Sequence, residues 1–216
     1  MRRTLRRLGY SFRRARRVPP KEPSQKLQAR VKKALAKLHA LERRGKCDVL
    51  YTDASGFCLQ PCVPYLWQKK AGQGQKAVGL MSQAHSLRLS VFGFFRSHDC
   101  TLWSFPTTER LTAQHVVESI EALLPQLVRS AVLVLDNASV HRAKAVREKR
   151  AEWKKRGLRL LFLPPYCPHL NRIELLWKQI KYRWLAPNDY IDFPTLSQSV
   201  NDILNQVGEK YRLSFV

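Results

Sequence analysis

At 216 residues the chain is long enough for one substantial hydrophobic core. Its 39 lysines and arginines against 16 acidic residues give a formal charge of +23, which favours a polyanionic partner, nucleic acid first among them. No apolar run approaches the roughly 18 residues of a membrane span, the N-terminus lacks the apolar segment of a secretory signal, and five cysteines read as reduced thiols rather than a disulfide framework.

The charge is concentrated at the start. Residues 1–44 carry sixteen lysines or arginines and only two acids, Glu22 and Glu42. Residues 1–23 read as a basic tail and linker, because Pro19, Pro20 and Pro23 cannot continue a helix. Arg2, Arg3, Arg6, Arg7, Arg13, Arg14, Arg16 and Arg17 are its candidate phosphate contacts. Residues 24–45 form a connecting helix, with Ser24 as cap and Leu27, Val31, Leu35, Leu38 and Leu41 at helical spacing.

From residue 46 to 216 the texture is that of one folded domain. CDVLYTDASGF reads as a strand, and the stretch to Gly79 as an irregular hairpin in which Trp67 is a candidate for stacking on DNA. Ser86–Phe95 and Thr101–Phe105 read as strands and Thr112–Val128 as a helix. AVLVLD is apolar enough for a strand buried on both faces. His141–Arg156 reads as a basic helix ending at Gly157, with Arg142 and Lys144 as further phosphate contacts. LRLLFLPP is a second buried strand, followed by helices over Asn171–Leu185 and Thr195–Arg212. Strands first and then helix–strand alternation predict an α/β fold: a mixed sheet, antiparallel meander then parallel strands, flanked by helices.

Three acids interrupt this pattern. Asp53 lies inside the first strand, Asp136 ends AVLVLD, and Glu174 opens a helix beside the apolar stripe Ile173, Leu176, Trp177, Ile180 and Trp184. Taken singly, each is a turn former, a helix cap or a favourable first-turn charge. Together, at strand ends and a helix start in a strongly basic chain, they form a candidate set of oxygen ligands for hard divalent cations, Mg²⁺ or Mn²⁺. Two such ions can assist attack on a phosphodiester and stabilise its leaving oxygen.

The segments bearing these acids are Asp53-Ala54-Ser55-Gly56-Phe57, the run Leu135 to Arg142 (LDNASVHR), and the run Leu163 to Trp177 (LPPYCPHLNRIELLW). In order and spacing, with thirty-seven residues between Asp136 and Glu174, they resemble the three motif blocks of bacterial insertion-sequence transposases related to the mariner superfamily. The resemblance runs from about Cys47 to about Tyr182. It implies an RNase H-like fold, two-metal phosphoryl transfer, and mobile-element ends as substrate. It makes Asp53, Asp136 and Glu174 the metal-binding catalytic triad. Asn137 and His141 become flanking residues of the second block, and Tyr166, Pro168 and Asn171 parts of the loop that positions the third acid.

The implied partners are double-stranded DNA, as element ends and as target, and a second copy of the chain. The implied location is the bacterial nucleoid. Ala54, Cys167, His169 and Arg172 depart from the family pattern, where Glu, Ser, an acid and Pro are common; no triad carboxylate is lost. LRRLGYSFRRARRVPPKEP resembles the tail of a helix-turn-helix unit, so the chain reads as N-terminally truncated. Two other classes stand beside the transposase: a non-catalytic DNA-binding remnant, and an RNase H-like nuclease that hydrolyses without joining.

A basic tail neutralises phosphates but presents no folded reader of base edges. Deleting Met1–Arg17, with its eight arginines, is expected to weaken duplex binding and flatten the slope of log affinity against log salt by roughly 0.9 per lost phosphate contact. In competition titrations at fixed salt, a terminal-repeat duplex should outcompete a scrambled one by far less than the roughly 10³-fold of specific readers.

Overall fold

The computed structural model of the chain describes Thr4, Arg7, Leu8 and residues 24–60 and 87–214. The expected hairpin with Trp67 lies outside the described residues, as do the tail arginines other than Arg7, which is exposed.

Five strands form one mixed sheet. β1 (Asp48–Phe57), β2 (Leu89–Arg96) and β3 (Thr101–Thr107) are antiparallel neighbours. β4 (Ala131–Leu135) lies parallel to β1, and β5 (Leu158–Phe162) parallel to β4, giving the order β3-β2-β1-β4-β5. Over residues 24–60 and 87–214 the α-helices are α1 (Gln25–Arg43), α2 (Ala113–Leu123), α3 (Lys144–Lys155), α4 (Ile173–Gln179) and α5 (Phe193–Asn205). Among the described residues no helix is long and apolar enough to cross a membrane.

Strand alternation sorts the side chains onto two faces. Val49 and Tyr51 of β1, Val91 and Phe95 of β2 and Val134 of β4 share one core with α1, α4 and α5. Leu50, Phe92, Phe94, Leu133 and Leu135 share the other with α2 and α3. The sheet is therefore covered on both sides, which suits the almost wholly apolar β4.

Several boundaries differ from the sequence expectation, each for a local reason. His141 is not helical but sits in a 3₁₀ turn, Ser139–Arg142, and α3 begins only at Lys144. The Asp136 carboxylate accepts from Ala138 N (2.9 Å) and pairs with His141 Nδ1 (2.8 Å), which folds the chain back before a helix can start. α4 gives way after Gln179 to a π-helical turn, Ile180–Trp184. α5 starts at Phe193, where Asp192 caps it by accepting from Thr195 N, and it ends at Asn205, well short of Arg212. Ser24 caps α1 as expected. Of the α1 stripe only Val31 and Leu35 are buried; Leu27 and Leu41 are exposed, and Glu42 is buried instead.

The contact that sets the height of α4 over the sheet lies at Gly93. A Cβ at this position would come within 3.0 Å of the Trp177 ring and 3.2 Å of Ile173 Cδ1, both on α4. Glycine inside a strand marks such close approaches. Gly93→Val should overpack this contact and lower the unfolding free energy by about 1–3 kcal/mol. A denaturant midpoint equal to that of the wild type would show that α4 is free to shift.

Candidate active site

Asp53 and Asp136 are brought level by the parallel register. Tyr51 pairs with Val134 across β1 and β4, and two residues further along each strand stand Asp53 and Asp136. Both are an even number of residues from Tyr51 and Val134, which face the core shared with α4, so both acids lie on that face. Glu174 is in the first turn of α4, which covers this face through Ile173, Leu176 and Trp177. Asp53 is also the antiparallel partner of Gly93, directly beneath the contact that seats α4. The acids thus come together at the carboxyl end of β4 and, on β1, two residues past the end of its parallel pairing with β4.

Their electrostatic states differ. Burial, then the Glu174 carboxylate and, less strongly, that of Asp136 push the Asp53 carboxyl up to about 7. Burial also raises Glu174, with Lys181 opposing and Asp136 adding to the rise. Asp136 is held below the usual range, first by the hydrogen bond from His141, against burial, and then by Ala138 N. Asp53 therefore feels both other acids, and Glu174 feels Asp136. Among the described residues no three His, Cys, Asp or Glu side chains are gathered closely enough to hold one metal ion between them.

Two depressions flank the acids. One, of about 510 Å³, is lined by Asp53 and Glu174 together with Arg88, Lys178, Lys181 and Tyr182. The other, also about 510 Å³, is lined by Asp136 and Glu174 together with Asn137, Arg142, Tyr166, Pro168 and Asn171. The structure therefore brings Asn137, Tyr166, Pro168, Asn171 and Arg142 to the acids. His141 stands behind Asp136, buried against Phe92 with ring centroids 6.0 Å apart. Asn137 Nδ2 donates to Leu163 O, and Asn171 Nδ2 donates to Thr52 O (3.0 Å), one residue before Asp53. Lys144 points outward and pairs with Glu148 at 3.7 Å.

Sequence reasoning missed Gly93, Arg88, Lys178 and Lys181. The lone glycine in SVFGFF was a readable sign, and Lys178 and Lys181 follow Glu174 at helical spacing. Arg88 carried no sign, because what places it is its seat over Gly56, where any Cβ would collide with its guanidinium.

A mixed five-stranded sheet with helices on both faces and acids on and just after its central strands is an RNase H-like domain. The family model for the DDE superfamily endonuclease matches residues 48–197, and the chain belongs to that family. Among solved structures it is similar to the Mos1 mariner paired-end complex with Mn (TM-score 0.61, 15% identity, 97% of this chain and 64% of that one). It is similar also to the corresponding complex with Mg (0.61, 16%, 96% and 63%) and to the catalytic domain of Mos1 mariner transposase (0.50, 12%, 87% and 85%). The chain spans 62% of the length of the Mos1 transposase in its complex with the left transposon end. No curated protein sequence matches it.

His141→Ala removes a charge-assisted hydrogen bond that fixes Asp136. It should cost about 1.5–3 kcal/mol of unfolding free energy, read by urea denaturation. His141→Asn, which can still donate to Asp136, should lose less.

Proposed function

We propose that the chain is the catalytic domain of a cut-and-paste DNA transposase, which cleaves phosphodiesters at mobile-element ends and joins them to target DNA. The observation that carries this reading is the placement of Asp53, Asp136 and Glu174 on one face of an RNase H-like sheet, close enough that Asp136 adds to the raised pKa of both Asp53 and Glu174. Membership of the DDE superfamily endonucleases and the likeness to Mos1 transposase complexes support it.

The donor set fits hard divalent cations. Asp53 is half-buried beside two further carboxylates, and the His141 ring and Ala54 N offset only part of that, so its ionised form is destabilised until positive charge arrives. All three ligands are oxygens, the preference of Mg²⁺ and Mn²⁺. Two bound ions would activate the attacking oxygen and stabilise the leaving one. The protein's own part is to hold the ligands. His141 and Ala138 N fix the Asp136 carboxylate, α4 seated on Gly93 carries Glu174, and Asn171 ties the start of α4 to the backbone next to Asp53. Arg88, Lys178 and Lys181 beside the acids receive the phosphate backbone, whose negative charge the acids alone would repel. The substrate is double-stranded DNA. A second copy of the chain joins a paired-end assembly, as the paired-end complexes of Mos1 suggest, and the reaction takes place in the nucleoid of a bacterial cell.

Asp53→Asn, Asp136→Asn and Glu174→Gln each keep the side chain's shape and remove its charge. Each should abolish Mg²⁺- or Mn²⁺-dependent cleavage with little loss of duplex affinity, since affinity rests on Lys and Arg. Cleavage that persists in chelator or in Asp136→Asn would overturn the two-metal reading. With a pre-cleaved end, joining to a second duplex is the expected product; hydrolysis alone would make the chain a nuclease.

A further inference from the structure

α3 sorts its charges onto two flanks. Toward α2, Lys149 and Arg156 pair with Glu121 and Glu152. Near the start of the helix Lys144 pairs with Glu148, so both acids of α3 are engaged. Arg147, Arg150 and Lys154, three and four residues apart, share the opposite flank. All three are exposed, and among the described residues none has an ion-pair partner. β5 runs beside this flank and adds Arg159, exposed and equally without an acid. Arg150, Lys154 and Arg159 line a depression of about 470 Å³ with Ala151, Leu158 and Leu160, and no carboxylate stands in its wall. The Arg150 guanidinium is held 5.5 Å from the centre of the Phe162 ring, which limits its excursions into solvent. β5 is the last strand of the sheet, and a single cation there would serve to keep other strands from pairing with it. That demand accounts for Arg159 alone, because Arg150 and Lys154 come from the helix. Like charges gathered with no acid between them repel one another, and a polyanion relieves that repulsion.

We propose that this groove between α3 and β5 is a second DNA site, separate from the acids, which holds the phosphate backbone of a duplex through Arg150, Lys154 and Arg159. It takes from the transposase reading only that the chain binds duplex DNA. The β4–β5 register pairs Leu135 with Phe162, so Arg159 stands four residues behind the level of Asp136, about 13 Å along the strands. That distance is about four base pairs of duplex. A duplex held at the acids alone is free to pivot, whereas one held at two points this far apart has its direction fixed as well. The guanidinium groups offer paired donors to phosphate oxygens and Lys154 a point charge. Contacts of this kind position a duplex without reading its sequence.

The test compares two double variants of the full chain that lose the same net charge, Arg150→Gln with Lys154→Gln and Lys149→Gln with Arg156→Gln. Binding to a 20-base-pair duplex is titrated without metal over a series of salt concentrations. The first variant should flatten the slope of log affinity against log salt by roughly 0.9 for each lost contact, about 1.8 in all. The second removes cations already paired to carboxylates and should move the slope by less than one contact. Arg150→Lys with Lys154→Arg keeps both charges and should keep the wild-type slope, and because all the residues changed in the groove are exposed, melting temperatures should stay close to the wild type. Equal slopes in the two charge-removing variants would overturn the proposal, since only total charge would then matter. Because binding is read without metal, a chain that never cleaves can still show this site, and a chain that cleaves and joins can still lack it.

Discussion

α4 can lie close on the sheet because Gly93 has no side chain. With any Cβ there, the Trp177 ring and Ile173 would have to lift, and Glu174, on the same helical turn as Ile173, would lift with them. The strand pairing then does the rest. Gly93 faces Asp53 across β1 and β2, and the β1–β4 register carries Asp136 to the same level. One missing side chain and two backbone registers thus bring together three carboxylates from three separate segments of the chain. Interiors packed as tightly as crystals transmit such a displacement rather than absorb it, so a core contact on a neighbouring strand controls the geometry of the acids.

The same convergence is electrostatically unfavourable. Asp53 is pushed up to about 7 by burial and by its two neighbours, so the fold keeps a group that is costly to ionise. Asp136 is stabilised by the His141 ring and Ala138 N, whereas Glu174, like Asp53, is raised by burial, with Lys181 opposing only in part. This asymmetry leaves one carboxylate whose charge is fixed in place and two whose charge awaits compensation. The excess of basic residues elsewhere answers a different demand. Arg88, Lys178 and Lys181 rim the acids without forming hydrogen-bonded ion pairs to them, and so leave the carboxylates open to ligands.

How legible this was depends on the range of the interaction concerned. The strands and the acids stood out in the sequence because AVLVLD and VLYTDASGF are apolar runs broken by one charge, which a buried strand does not tolerate without compensation. α1 and its Ser24 cap were legible because both signals are local. His141 was misplaced into a helix because the turn that holds it depends on the Asp136 side chain five residues earlier, which competes with helical hydrogen bonding. The long C-terminal helix expected to Arg212 stops at Asn205, and Gly208 then adopts φ 96° against the Cys100 carbonyl. That partner is a hundred residues away in sequence and leaves no local trace. Arg172 likewise departs from the family's usual proline, and only the folded chain shows what it gains: a hydrogen bond to Ser97 Oγ at 2.8 Å and a seat 6.0 Å from the Tyr51 ring.

Tyr51 also explains why α1 is bound to this sheet. Burial pushes the Glu42 carboxyl up, but the hydrogen bonds from His39 and Val49 N outweigh it and hold the group below its usual range. Glu42 is therefore ionised and accepts at both oxygens, from Val49 N at 2.9 Å and His39 Nδ1 at 2.9 Å. With Nδ1 donating, a neutral His39 ring must accept at Nε2, and the Tyr51 hydroxyl, 2.8 Å away, is the donor. Burial keeps Tyr51 protonated, with a pKa of about 12, so the donor persists at any physiological pH. Every member of the chain Glu42–His39–Tyr51 is thus satisfied, and a satisfied buried network fixes one arrangement where apolar packing alone would allow sliding. It fastens α1 to β1 two residues before Asp53, while Arg172 brings the start of α4 over the same tyrosine ring. The two elements that carry Asp53 and Glu174 are braced at Tyr51 as well as at Gly93, and the helix that enters from the basic N-terminal segment is part of that brace.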